Sequence, residues 1–228
     1  MCVEVAENIT RAKNLKPYYR TLGFTGHHGH NVRSELKPAD AVVDAHQHGE
    51  AHMASKSEKT LDDLFYDTLK DIYYAEKKIL KTLPKMIRGA QSPDLKAAFE
   101  KHRGETQVQI ERLQQVFEII GKRAVGKTCA AIDGITEEGE EIMEEYKGTA
   151  ALDAGLLASA QAVEHYEITR YGTLRRWANE LGLTDAADLL TLTLDEEAAT
   201  DEALTALADA SVNDEAKETG SQKSRART

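Results

Sequence analysis

Four stretches of this chain repeat apolar residues at the helical period, each over about 25–30 residues, and a connection of about 30 residues divides the second from the third. That connection constrains the fold more than any other feature. Antiparallel helical neighbours need only about 2–8 residues between them. About 30 residues can run the length of a bundle and let the third helix enter parallel to the second. The expected architecture is all-α: a four-helix bundle with one long crossover, Gly121 to Thr149, whose acidic centre from Glu137 to Tyr146 reads as a short extra helix.

The ends of the long helices are marked. Thr60 can cap the first helix, with Asp62 and Asp63 at the positive end of its dipole. Its stripe is Leu61, Leu64, Phe65, Leu69, Ile72, Glu76, Ile79, Leu80 and Leu83, and Pro84 is expected to kink or end it. Ser92-Pro93-Asp94 is a start signal for the second helix, and Gly121 is a stop. The third helix is expected from about Leu152 to Leu181, closed by Gly182. Thr184-Asp185 opens the fourth, which carries Leu190, Thr193, Glu197, Asp201 and Leu204 on one face.

Each apolar stripe holds an acid near its middle: Glu76, Glu105, Glu164 and Glu197. An unpaired carboxylate in a helical core is costly, because burial disfavours its charged form. A shared pair of metal ions is the most economical reason for four of them. His102 lies three residues before Glu105, and Glu167 three after Glu164. That spacing puts two side chains on one helical face. Such a donor set suits iron or manganese. The candidate ligands are therefore Glu76, His102, Glu105, Glu164, Glu167 and Glu197, with Tyr73, Tyr171 and Asp201 as candidates to support them. The bland reading places any one of these acids at a solvated stripe edge; the joint pattern favours the site.

Composition narrows the classes. Hydrophobic residues make up 41% and charged residues 30%, with only 15 Gly and 4 Pro, which favours a globular helical protein. Residues 57–210 carry 18 basic and 30 acidic side chains, a net -12 within a chain total of -10, which argues against nucleic-acid binding. The two cysteines, Cys2 and Cys129, form no CxxC pair, so a zinc ribbon or rubredoxin-type iron site is excluded. No apolar run approaches the roughly 18 residues of a membrane span. No signal peptide is evident, and a reducing cytoplasm is the expected compartment.

Residues 1–56 read differently. They hold His27, His28, His30, His46, His48 and His52 without a persistent period and are expected to form a poorly ordered His-rich extension. Met53 reads as a natural start. The ordered domain is expected over 57–210, followed by a disordered polar tail over 211–228.

The stretches Asp71-Ile72-Tyr73-Tyr74-Ala75-Glu76-Lys77, Ala162-Val163-Glu164-His165-Tyr166-Glu167-Ile168, Tyr171-Gly172-Thr173-Leu174 and Leu194-Asp195-Glu196-Glu197 resemble the YciF-like branch of the ferritin-like superfamily. So does Asp133-Gly134-Ile135 in the crossover. The resemblance covers about residues 58–210. It implies a ferritin-like bundle, usually dimeric, in bacterial stress-induced proteins. The better-known ferritin-like enzymes carry Glu-x-x-His on two helices; here Val108 and Thr200 stand where those imidazoles would be. The resulting expectation is a stress-response protein with two iron or manganese ions per bundle, acting on Fe(II), O2 or peroxide, and forming a homodimer without membrane or nucleic-acid partners. The alternative is a non-catalytic helical dimer serving as an interaction scaffold.

Overall fold

A computed structural model describes residues 58–217. The His-rich segment 1–56, with its expected extension and start, lies outside the described residues, as do residues 218–228 of the expected tail. The described chain contains five α-helices and no strand: α1 Leu61–Gly89, α2 Pro93–Ile119, α3 Ala130–Glu145, α4 Ala151–Glu180 and α5 Thr184–Leu207. None of these helices is long and apolar enough to cross a membrane.

The expected boundaries hold where side chains cap the backbone. Thr60 and Asp63 form a reciprocal capping box, and Ser92 caps α2 ahead of Pro93. Gly121 and Gly182 end their helices with φ of 63° and 72°, a conformation that a Cβ disfavours. Three expectations change. Pro84 does not end α1, which continues to Gly89: the proline costs one hydrogen bond, and the buried contacts of Leu83 and Met86 on either side hold the helix. The crossover helix begins at Ala130 rather than Glu137, because Ile132 and Thr136 are buried and anchor its first turns. The last helix does not give way to a tail at 211. It passes through a π-helical turn, Ala208–Val212, and on through 213–217, held by the fully buried Val212.

α1, α2, α5 and α4 pack in a ring, α1 beside α2, α2 beside α5, α5 beside α4 and α4 beside α1. α2 and α4 start at the same end of the bundle. The Asp153 carboxylate in the first turn of α4 accepts the backbone N–H of Gln91 at 2.8 Å and of Ser92 at 2.6 Å, just before α2. The long crossover is thus the device that carries the chain back along the bundle. It runs beside α1, where the Lys127 N–H donates to the Lys70 carbonyl and Gly126 passes so close to Tyr74 that a Cβ would lie 3.2 Å from its Cβ.

α3 then lies in the groove between α1 and α4. The Tyr74 hydroxyl donates to Asp133 at 2.9 Å, and Gly155 of α4 leaves room for Ile142, whose methyl would stand 2.6 Å from an added Cβ. The interior is filled by Phe65, Leu69, Ile72, Phe99, Leu156 and Leu190, among others. Each such side chain contributes about 1.5–3 kcal/mol on burial. Leu64, expected on the inner stripe, is instead 49% exposed, since it lies at the stripe's edge in the first turn, away from the ring's centre.

Asp153 is the only side chain that bonds both Gln91 and Ser92 N–H groups among the described residues. Replacing it by Ala leaves two donors without their partner at a partly buried turn, so Asp153→Ala should lower stability by about 1–3 kcal/mol, measured as a shift in the denaturant midpoint. An unchanged midpoint would show that water replaces the carboxylate there at no cost.

Candidate metal centre

The four long helices each bring a polar residue to the middle of the ring. α1 contributes Glu76, α2 His102, α4 Glu164 and Glu167, and α5 Glu197; all five are buried, with side-chain exposures of 4% or less. The helical spacing explains the placement: each sits on its helix's apolar stripe, flanked one turn away by residues such as Ile72, Phe99, Ala160 and Thr193 that lie in the core. One donor atom from each of His102, Glu164, Glu167 and Glu197 lies within 4.8 Å of the others. Glu76 adjoins this group through Glu167, and its Oε1 accepts the Tyr171 hydroxyl.

These carboxylates have no cation of their own. Among the described residues none of Glu76, Glu164, Glu167 and Glu197 forms an ion pair with Lys or Arg. His102 Nε2 stands 3.4 Å from Glu164 Oε1, and Nδ1 4.0 Å from Glu197 Oε2. Burial holds the imidazole pKa down at about 4, with Lys101 adding to the shift, so His102 is neutral and these contacts are not ion pairs. Glu76 Oε2, Glu164 Oε2, both oxygens of Glu167 and Glu197, and both nitrogens of His102 are buried without a hydrogen-bond partner. Unpaired buried polar atoms are rare and costly. Concentrated in one place, with hard oxygen donors and one imidazole, they form a group that could hold a metal ion.

The remaining candidates are placed differently. Glu105 sits at the rim, 24% exposed, its Oε1 held by Lys101 Nζ at 2.5 Å, while its Oε2 is buried and unpartnered. It is not part of the converging group, because Lys101, one turn earlier, draws the carboxylate outward. Asp201 is also apart: it receives Gln161 at 3.2 Å and faces the exposed His165 at 3.3 Å. Tyr73 turns away from the acids, its hydroxyl accepting from Gln114 at 3.1 Å and its ring meeting Phe117 edge-on. Tyr171 does reach the group.

One pairing beside the site escaped the sequence reading, and one residue named there for its spacing proves to be buried. Arg112 clamps Glu196 with two bonds of 2.6 Å beside Glu197, and Thr200 is buried next to the site with its hydroxyl unpaired. The pairing spans two helices and leaves no local signature. Thr200 was already marked by its three-residue spacing after Glu197.

Without metal, proton uptake must relieve the crowding. Burial pushes the Glu76 and Glu164 pKa values up to about 8. Glu167 and Glu197 are raised well above the ordinary carboxylate range, again chiefly by burial and then by the neighbouring Glu76. The folded, metal-free site therefore keeps protons that the unfolded chain releases. Its stability contribution is complete below the unfolded values and is lost as pH rises through the folded ones. His102 acts oppositely, but only below its unfolded value of about 6.5. The melting temperature of metal-free protein should thus rise as pH is lowered from 8.5 to 6.5 and keep rising, less steeply, toward 5, because His102 offsets only one of the protons that the four carboxyls hold. A melting temperature that stays level or falls across 8.5–6.5, followed by circular dichroism, would place these carboxyls in water.

Comparison with known proteins agrees with this architecture. Residues 60–217 match the family described as Domain of unknown function (DUF892). YciF of Escherichia coli is 44% identical over 159 residues, which cover 69% of this chain and 96% of that protein. The crystal structure of YciF, described as a stress protein, superposes with a TM-score of 0.66, covering 68% of this chain and 99% of that one. YcfI from Rhodopseudomonas palustris, described as a candidate structural protein, is 49% identical with a TM-score of 0.64, covering 66% of this chain and 96% of its own. The helical ring, the crossover helix and these likenesses together make the chain a member of the DUF892 family, YciF-like in sequence and ferritin-like in fold.

Proposed function

We propose that the chain binds two divalent iron or manganese ions between Glu76, His102, Glu164, Glu167 and Glu197, and acts with them in stress defence by oxidising Fe(II) or removing peroxide. The observation that carries this reading is the set of unpartnered carboxylate oxygens and imidazole nitrogens at the bundle's centre. A pair of Fe(II) ions, when bound, supplies one electron each to an oxidant.

The chain's own residues do the rest. Glu164 and Glu167, one turn apart on α4, would hold the metal together with His102, Glu197 and Glu76. Tyr171 donates to Glu76 Oε1 and leaves Oε2 free, which fixes the orientation of that carboxylate. Arg112 holds Glu196 and so pins the turn of α5 that presents Glu197. The apolar packing around the five donors keeps water away and strengthens every charge interaction within. YciF's description as a stress protein is consistent with this role.

A scaffold role in a homodimer is the second reading. It is favoured by Val108 and Thr200, which stand where an imidazole would complete the donor set of better-known ferritin-like enzymes, and by the description of YcfI as structural.

Elemental analysis of protein purified without affinity tag or chelator separates the two. About two iron or manganese ions per chain is the expected content, and Glu164→Ala should lose the metal while keeping its helical circular dichroism. Fe(II)-loaded wild type should also consume oxidant faster than free Fe(II), an excess that Glu76→Ala removes. Protein that stays metal-free after anaerobic Fe(II) loading, or equal metal content in Glu164→Ala and wild type, would turn the assignment toward the scaffold.

A further inference from the structure

A cavity of about 30 Å³ lies beneath α3 and reaches the carboxylate group from one side, with His102 and Glu164 at its inner end. That is room for about two water-sized molecules. Ile79, Leu83 and Met86 of α1, Phe99 of α2, and Ile135 and Met143 of α3 supply much of its wall.

The hydroxyls in the wall are arranged in a telling way. Thr82 donates to the Lys78 carbonyl at 3.0 Å, Thr136 to Ile132 at 2.8 Å, and Ser159 to Gly155 at 3.0 Å. Each is spent on its own helix one turn back, so the cavity meets little beyond carbon. The exceptions are Thr200, His102 and Glu164. Thr200, 6% exposed, lines the cavity with its hydroxyl unpartnered, and His102 and Glu164 line it with unpartnered atoms of their own.

Such a space selects by polarity as well as by size. Apolar cavities tend to stay dry and take up apolar guests. A hydrated cation would have to shed its shell against hydrocarbon. Peroxide carries two O–H groups, and leaving one unpaired costs about 1–3 kcal/mol. Dioxygen has no donor to satisfy and gives up little hydration on entry.

We propose that the cavity under α3 is a binding chamber for a small apolar molecule of dioxygen size, brought against the inner face at His102 and Glu164, which with Thr200 form the polar part of an otherwise apolar wall. On the metal-centre reading this makes dioxygen, rather than peroxide, the oxidant: two bound Fe(II) ions would each give it one electron, and with two protons it would leave as hydrogen peroxide. The use of the chamber rests on the metal-centre reading above; its occupancy by a small apolar guest does not.

Xenon is the probe, because its binding needs no metal. Crystals of the metal-free full-length protein pressurised with xenon should show an anomalous peak between α3 and His102, and the ¹²⁹Xe resonance in solution should shift on adding protein. Ala160→Leu, which places carbon in the cavity, should abolish both; Ala98→Leu, at a half-buried wall position, serves if the first variant fails to fold. Thr200→Val should keep the xenon peak.

In Fe(II)-loaded protein, Ala160→Leu should slow dioxygen-dependent oxidation at least tenfold with metal content unchanged. A xenon peak retained in protein that takes up no metal supports the chamber while rejecting the metal-centre reading. No xenon at this place in wild type, or an undiminished dioxygen rate in the filled variant, overturns the proposal.

Discussion

Four carboxylates enclosed in one dry space set the terms for the rest of this structure. Glu76, Glu164, Glu167 and Glu197 lie on three helices, with no lysine or arginine to meet them among the described residues. Like charges this close can coexist only if protons or metal ions separate them. The need for rigid positioning explains why the helices are long and why each acid sits far from the frayed ends. It also explains the second tier of contacts: Tyr171 on Glu76, and Arg112 on Glu196 next to Glu197. Remove the acids and nothing about the apolar core would require either.

Much of this was legible because it is written in local chemistry. The capping box at Thr60, the Ser-Pro-Asp start of α2 and the left-handed glycines at 121 and 182 work through neighbours in sequence. The length of the crossover fixed the topology, since so long a connection does not join adjacent antiparallel helices. His102, Glu164, Glu167 and Glu197 come together, with Glu76 buried beside them, because helical periodicity projects them inward. Glu105 shares that periodicity, but its position depends on Lys101 competing for it, a balance that no stripe reveals.

The features that stayed hidden depend on residues far apart in the chain. Asp153 ties α4 to the turn before α2 across about sixty residues of sequence. Pro84 left open whether α1 ends or continues past it, because propensity says nothing of the packing that carries the helix on. Val212 extends the domain past its expected end because a single apolar residue in a polar stretch finds a buried place. The emptiness beneath α3 could not be read at all: whether Thr82, Thr136 and Ser159 turn their hydroxyls inward or back toward their own helices is a rotamer choice made in three dimensions.

The crossover also has a kinetic meaning. α1 with α2, and α4 with α5, are helical hairpins that can form from nearby residues. The contacts that unite them, such as Tyr166 with Asp71 and Tyr171 with Glu76, join positions 95 residues apart. Non-local contacts of this kind come late and slow the search. Glu76 and His102 belong to one hairpin, Glu164, Glu167 and Glu197 to the other. Until the hairpins dock, every one of these groups is in water and repels little. The electrostatic penalty is therefore deferred to the last step of folding, and whatever counter-charge is at hand in that step governs how fast the bundle closes.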